Sequence, residues 1–143
     1  VVSWGWESEN PGESKFLDWH EWQGTRDMSA FLTIPEVVKF MDDNDWPNVS
    51  RKCREMVIQT RNQLLNYLNI SPPCPDDWLG QMASIPLPFN DAVEIKNDLL
   101  NKYHIQVPIF TWEGKVYLRY SIQAYNSESD LEKLLSAIKE LLG

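Results

Sequence analysis

Between Val116 and Gln123 apolar and polar side chains alternate without a break. Val116, Leu118, Tyr120 and Ile122 fall on one face, and Tyr117, Arg119, Ser121 and Gln123 on the other. A period of two is that of a half-buried strand, so this segment calls for strand partners at its sides and an apolar layer beneath one face. The opposite face carries Arg119 beside a hydroxyl and an amide. A guanidinium held at mid-strand offers a rigid fork of donors to a planar anion such as a carboxylate. Two readings stand open on pattern alone: a binding site, or a solvated face on which Arg119 pairs with a local carboxylate.

The rest of the chain supplies what that strand needs. Glu113-Gly114 reads as a hairpin turn joining it to a strand over Ile105–Trp112, in which Pro108 demands an edge position or a bulge. Met82–Leu87 reads as a further short strand closed by prolines. Ser127-x-x-Asp130 has the form of a capping box and opens an amphipathic helix with Leu131, Leu134, Leu135, Ile138 and Leu141 inside. Asn90 is the expected cap of a helix through Tyr103, with Ala92, Ile95, Leu99 and Tyr103 on its buried face.

Farther upstream, Asp45 and Pro47 open a helix with a stripe through Val49, Cys53, Met56, Val57, Leu64 and Leu68. It ends near Asn69 at the connector Ser71-Pro72-Pro73-Cys74-Pro75. Ser29–Asp42 has helical spacing that Pro35 interrupts, and a box of Thr33 with Glu36 would restart or kink it. The order is helix, helix, strand, helix, strand, strand, helix. That is an α+β domain: a small, mostly antiparallel sheet covered on one face by helices.

Composition narrows the partners. The 143 residues carry a formal charge of −8, which argues against nucleic acid and against an anionic membrane surface. No apolar run approaches membrane-spanning length. Cys53 and Cys74 lack metal-ligand or redox spacing and read as free thiols in a reducing, cytoplasmic setting. Four of the seven tryptophans (Trp4, Trp6, Trp19 and Trp22) crowd the first 22 residues, which read as a short strand running into a loop. Aromatics at that density need a covering surface, so the chain is expected to begin inside a larger protein.

A second candidate anion site is Gln23-Gly24-Thr25-Arg26-Asp27. Glycine allows close approach, a helix start presents unpaired amides, and Thr25 and Arg26 add a hydroxyl and a cation suited to phosphate or carboxylate. The alternative is an ordinary helix start with Asp27 as its cap. His104 is expected at a helix end, and His20 in a tryptophan-rich loop. Neither has a partner at metal-binding spacing, so no metal site is expected. No nucleophile motif, zinc-protease motif or phosphate loop occurs, and no catalytic residue is assigned.

Both candidate places carry a resemblance. E-W-Q-G-T-R-D-M-S-A-F-L-T-I-P-E (Glu21–Glu36) and L-R-Y-S-I-Q-A-Y-N-S-E-S-D-L (Leu118–Leu131) resemble the class V aminotransferase-like enzymes. These are pyridoxal-phosphate (PLP) enzymes of fold type I, and the nearest branch is that of the isopenicillin N epimerase-like proteins, related to cysteine desulfurases. The opening V-V-S-W-G-W-E resembles the strand after that branch's cofactor region. G-Q-M-A-S-I-P-L-P (Gly80–Pro88) is similar to the first strand of its small C-terminal domain.

The resemblance implies roles. In R-x-S-x-x-x-Y-N the arginine clamps the substrate α-carboxylate, here Arg119. Gly24 and Thr25 would reach the cofactor phosphate of the neighbouring subunit in a homodimer, with Arg26 as a further phosphate or substrate contact. Asn126 would cap the last helix and fix the turn before it. The implied division is 1-27 in the large-domain and dimer region, 28-70 as connecting helices, and 71-143 as the small C-terminal α+β domain. No lysine here sits in the family's cofactor-lysine context, so the chain would be a C-terminal portion, inactive alone, that works with a PLP-binding large domain on an amino acid. The rival expectation is a standalone, non-catalytic module that binds a small carboxylate ligand or a protein partner.

Overall fold

The computed structural model describes residue 9, residues 12–21 and residues 24–143, with the backbone alone at 19 and 21. The expected opening strand, with Trp4 and Trp6, lies outside these residues, as do Trp22 and Gln23. The chain divides into two compact units, Val1–Asp43 and Asn44–Gly143.

Among its described residues the first unit holds three helices: α1 (Lys15–Glu21), α2 (Ser29–Leu32) and α3 (Ile34–Asp43). α1 replaces the loop expected around His20. The Ser14 hydroxyl accepts from the Leu17 amide at 3.2 Å, capping the first turn, and the Phe16 and His20 rings lie 4.4 Å apart across one turn. α2 and α3 are separate helices, as the Pro35 interruption allowed. Thr33 ends α2 and its hydroxyl donates to the Ala30 carbonyl at 2.8 Å. Neither α2 nor α3 buries a residue.

The second unit holds α4 (Trp46–Leu68), β1 (Met82–Leu87), α5 (Ala92–Tyr103), β2 (Ile109–Trp112), β3 (Lys115–Ser121) and α6 (Glu128–Leu142), with a short 3₁₀ turn at Asp76–Trp78. The sheet is antiparallel with order β1-β3-β2. The alternating strand is thus the central one, flanked on both sides. Its inward residues Val116, Leu118, Tyr120 and Ile122 join Ala83, Ile85, Leu87 and Ile109 against α4, α5 and α6, which contribute Val57, Leu64, Leu99, Leu134 and Ile138. Leu118, Ile85, Val57, Leu99 and Ile138 are fully buried.

Element ends differ from expectation for local reasons. β2 begins at Ile109 rather than Ile105, because the Ile105 amide closes α5 by donating to Leu99 at 2.9 Å and Pro108 has no amide to give. The Pro108 carbonyl instead accepts from the Arg119 amide at 2.9 Å, and β2 takes the edge position. The cap of α5 is Asp91, not Asn90: its carboxylate accepts from the Val93 and Glu94 amides at 2.8 and 3.1 Å. Asp45 precedes α4 in a left-handed conformation, and its side chain makes no capping bond.

The connector after α4 is fastened by two arginines of that helix. Arg61, 1% exposed, donates from Nη1 to the Cys74 carbonyl at 2.9 Å and pairs through Nη2 with the Asp76 carboxylate. Arg54 donates from Nε to the Leu79 carbonyl and from Nη2 to the Asp76 carbonyl, both at 2.8 Å. Gln81 then bridges the Ser50 hydroxyl and the Ile122 carbonyl at 2.9 and 2.8 Å, joining α4 to the end of β3. Proline makes this connector unable to form its own ladder, and arginine forks satisfy its carbonyls instead.

Candidate functional site

Arg119 occupies the outward face of the central strand. Its cross-strand partner is Ser84 on β1, and on the β2 side it reaches diagonally toward Phe110, the register partner of Tyr117. The turn that sets this register is Glu113-Gly114, both at positive φ (47° and 73°), the two-residue geometry that matches strand twist. The guanidinium carbon lies over the Phe110 ring at 5.9 Å from its centroid. Phe110 stacks on Tyr117 at 5.8 Å and 16°, and Trp112 meets Tyr117 edge-on at 6.0 Å and 64°. Among the described residues Arg119 forms no salt bridge. The local carboxylate of the solvated-face reading is therefore missing, and the guanidinium lies beside the aromatic ladder of Phe110, Tyr117 and Trp112.

The other polar residues of this strand face serve different ends. Gln123 turns back on the chain: its Oε1 accepts from Gln81 Nε2 and from the Ala124 amide, each at 3.2 Å. Ser121 lines a cavity of about 360 Å³ with His104, Gln106, Asn126 and Lys133. The Asn126 side-chain oxygen accepts from the Gln123 backbone amide at 2.9 Å, and the Asn126 backbone amide donates to the Gln123 carbonyl at the same distance. Asn126 thus fixes the turn beyond the arginine strand. Capping of α6 falls instead to Ser127 and Asp130, whose reciprocal bonds form the expected box. Bonds from the Ser127 amide and hydroxyl hold the Asp130 carboxyl below the usual carboxylate range.

Beyond Tyr117 on the same side lies a mostly apolar cavity of about 460 Å³, lined by Ile70, Pro73, Pro86, Pro88, Lys115 and Tyr117 among others. The alternation puts Tyr117 on the face of Arg119, but it does not by itself reveal the ladder that Phe110 and Trp112 form with it. The signal was present: pairing the two strands about Glu113-Gly114 puts all three on the face of Arg119.

The second candidate place belongs to the first unit. Gly24 is left-handed at φ 75°, with open space where a Cβ would stand. Thr25 and Arg26 are exposed, and the Arg26 guanidinium lies 4.4 Å from the Phe31 ring centroid. The Asp27 carboxylate accepts from the Ser29 amide and hydroxyl, both at 2.9 Å, and those bonds hold its pKa down. The helix that starts here has four residues, and its first amide is already satisfied by Asp27. A helix dipole therefore contributes little to an anion at this place, and the donor set is Gly24, Thr25 and Arg26 themselves. No group of three or more metal-ligating side chains occurs among the described residues, and no described helix is long and apolar enough to cross a membrane.

No family model matches the chain. Among curated proteins it is 30% identical to isopenicillin N epimerase of Amycolatopsis lactamdurans, a match over 98% of this chain and 38% of that protein. It is 27% identical to L-cysteine desulfhydrase of Arabidopsis thaliana, over 85% of this chain and 32% of that protein. In structure it is similar to 8-amino-7-oxononanoate synthase of Francisella tularensis, with TM-score 0.63 over 89% of this chain and 36% of that one at 18% identity. That likeness bears out the fold reading, a small α+β domain with an antiparallel sheet and helices. The chain spans about a third of the length of the curated relatives it matches. It is a relative of the isopenicillin N epimerases and L-cysteine desulfhydrases, matching one part of them, as its resemblance to class V aminotransferase-like enzymes implied.

Proposed function

We propose that this chain is the C-terminal, substrate-carboxylate-binding portion of a PLP-dependent enzyme acting on an amino acid, of epimerase, C–S lyase (desulfurase) or aminotransferase type. The observation that carries the reading is Arg119: a guanidinium on the central strand, seated on Phe110 and engaged by no carboxylate among the described residues. In this reading its fork takes the α-carboxylate of the substrate by two parallel hydrogen bonds, which fixes orientation as well as affinity.

The donor set of Gly24, Thr25 and Arg26 fits a phosphate. It offers an unobstructed backbone, a hydroxyl and a cation, while the nearby Asp27 carboxylate is turned to Ser29. These three residues would hold the phosphate of the cofactor bound by the neighbouring subunit of a homodimer. PLP, when bound, supplies the electron sink for bond cleavage at the α-carbon. The residues of this chain orient the amino acid and anchor the phosphate. The cofactor lysine belongs to the large domain that would partner this chain, so the chain alone has no activity. The division proposed for the complete enzyme is 1-27 with the large-domain and dimer region, 28-70 as connecting helices and 71-143 as the small domain. A cytoplasmic location fits the two free thiols.

The test is Arg119→Ala in the cofactor-loaded enzyme. The Michaelis constant for the amino acid should rise roughly 10- to 100-fold, the worth of charge-assisted hydrogen bonds. PLP affinity should stay within about twofold, since Arg119 is assigned no cofactor contact. Equal losses of both, or of neither, refute the carboxylate role.

A further inference from the structure

We infer that Phe110 is a positioning residue for Arg119, holding its guanidinium in the orientation that receives a carboxylate. This rests on the reading of Arg119 as the carboxylate clamp and adds how an exposed clamp is kept in place.

An arginine on an open sheet face has rotamer freedom worth about 2 kcal/mol, which ligand binding must remove. A carboxylate neighbour would restrict that freedom but would occupy the same donors that a substrate needs. An aromatic face acts differently. It attracts the cation through the ring quadrupole from above the guanidinium plane, and all five N–H donors lie in that plane. The ring therefore orients the group without consuming its hydrogen bonds.

The platform is itself held. Phe110 stacks on its register partner Tyr117, and Trp112 abuts Tyr117 edge-on. The Glu113-Gly114 turn sets the register of Phe110 and Trp112 on β2 against Tyr117 on β3. Arg119 is likewise fixed at its backbone, where its amide donates to the Pro108 carbonyl at 2.9 Å, two residues before Phe110. The separation of 5.9 Å from guanidinium carbon to ring centroid is near the outer limit of such contacts, about 6 Å, so the effect expected is modest.

A double-mutant cycle on the cofactor-loaded enzyme tests this, with L-cysteine as the probe and its apparent Kd read from the cofactor absorbance. Phe110→Leu should weaken L-cysteine binding by about 2- to 5-fold, and Phe110→Tyr should restore it, as expected for a cation–π contact at an exposed site. In the Arg119→Ala background the same Phe110→Leu change should have no further effect. In the 143-residue chain without cofactor, Phe110→Leu should also remove the ring-current shift of the Arg119 side-chain protons while lowering the thermal midpoint by only a few degrees, as loss of one cross-strand aromatic pair does. If Phe110→Leu weakens binding equally in both backgrounds, or if wild type shows no ring-current shift, the positioning role is refuted while the clamp stands. If Arg119→Ala leaves L-cysteine binding unchanged, the clamp reading falls and the positioning role falls with it.

Discussion

The phenol of Tyr120 donates to the backbone carbonyl of Val57 at 2.7 Å, joining β3 to α4 across 63 positions of sequence. Tyr120 is the neighbour of Arg119, so the two side chains point to opposite faces of the strand. One enters the core and bonds to a helix, and the other faces outward. A slip of one residue in pairing would exchange them, and the bond to Val57 opposes such a slip. Burial pushes the Tyr120 phenol well above the usual tyrosine range, so it stays a donor at any ordinary pH.

Tyr120→Phe should therefore lower stability by about 0.5–1.5 kcal/mol, the net worth of one neutral hydrogen bond. The Val57 carbonyl keeps its own partner within the helical ladder of α4, so no orphaned acceptor enlarges the loss. Denaturant titration of the two proteins checks this, with an unchanged m-value as the sign that the fold is intact.

Arg61→Ala should be more damaging. It removes the fork that satisfies the Cys74 carbonyl and the Asp76 carboxylate, and leaves a void where a fully buried side chain lay. The Asp76 side chain is 50% exposed and can rehydrate, so the loss should be about 2–4 kcal/mol, short of a wholly buried pair. Arg61→Lys should not rescue it, because one ammonium cannot reproduce a planar fork serving two acceptors. Faster hydrogen exchange confined to residues 70–81 would mark the connector as the place that loosens.

The box at α6 predicts an acid-sensitive contribution. The Asp130 pKa is depressed in the fold, first by the Ser127 amide and then by its hydroxyl. A depressed carboxylate stabilises fully above its unfolded pKa, near 3.8, and loses that contribution as pH falls through the lower folded value. The stability difference between wild type and Asp130→Asn should be flat near neutrality and shrink below about pH 3.8. Ser127→Ala should cost about 0.5–2 kcal/mol at neutral pH, as loss of an N-cap does. Thermal melts across pH check both.

Gly114→Ala should strain the hairpin. Nothing lies within 4 Å of a Cβ placed there, so the whole effect comes from φ +73° and not from a clash. A left-handed non-glycine residue costs about 1–2 kcal/mol. Because this turn sets the Phe110–Tyr117 pairing, the ring-current shifts of both residues should fall along with the melting temperature.

What the sequence disclosed and what it hid have physical reasons. The alternation in β3, the Ser127–Asp130 box and the Glu113-Gly114 turn are local signals, and each reappears in the structure. Asn90 and Asp91 are both good caps for α5, and only backbone geometry chooses Asp91. β2 is shorter than its apolar pattern, since nothing local reveals that the Ile105 amide is spent closing α5. The arginine fastening of the connector and the Tyr120–Val57 bond were invisible, being contacts between residues 13 to 63 positions apart. At Arg119 the residue and its face were legible. The lack of a carboxylate partner and the ring beneath the guanidinium appear only once the hairpin is folded.

The central claim, that Arg119 recognises a carboxylate, is tested most directly by comparing an amino acid with its amide. The measurement is the affinity of the cofactor-loaded enzyme for L-cysteine and for L-cysteinamide, in wild type and in Arg119→Ala. Wild type should prefer the acid by roughly 10- to 100-fold, the worth of the charge-assisted hydrogen bonds that the amide forgoes. Arg119→Ala should bind both alike. An equal preference for the acid in the two proteins would contradict the account.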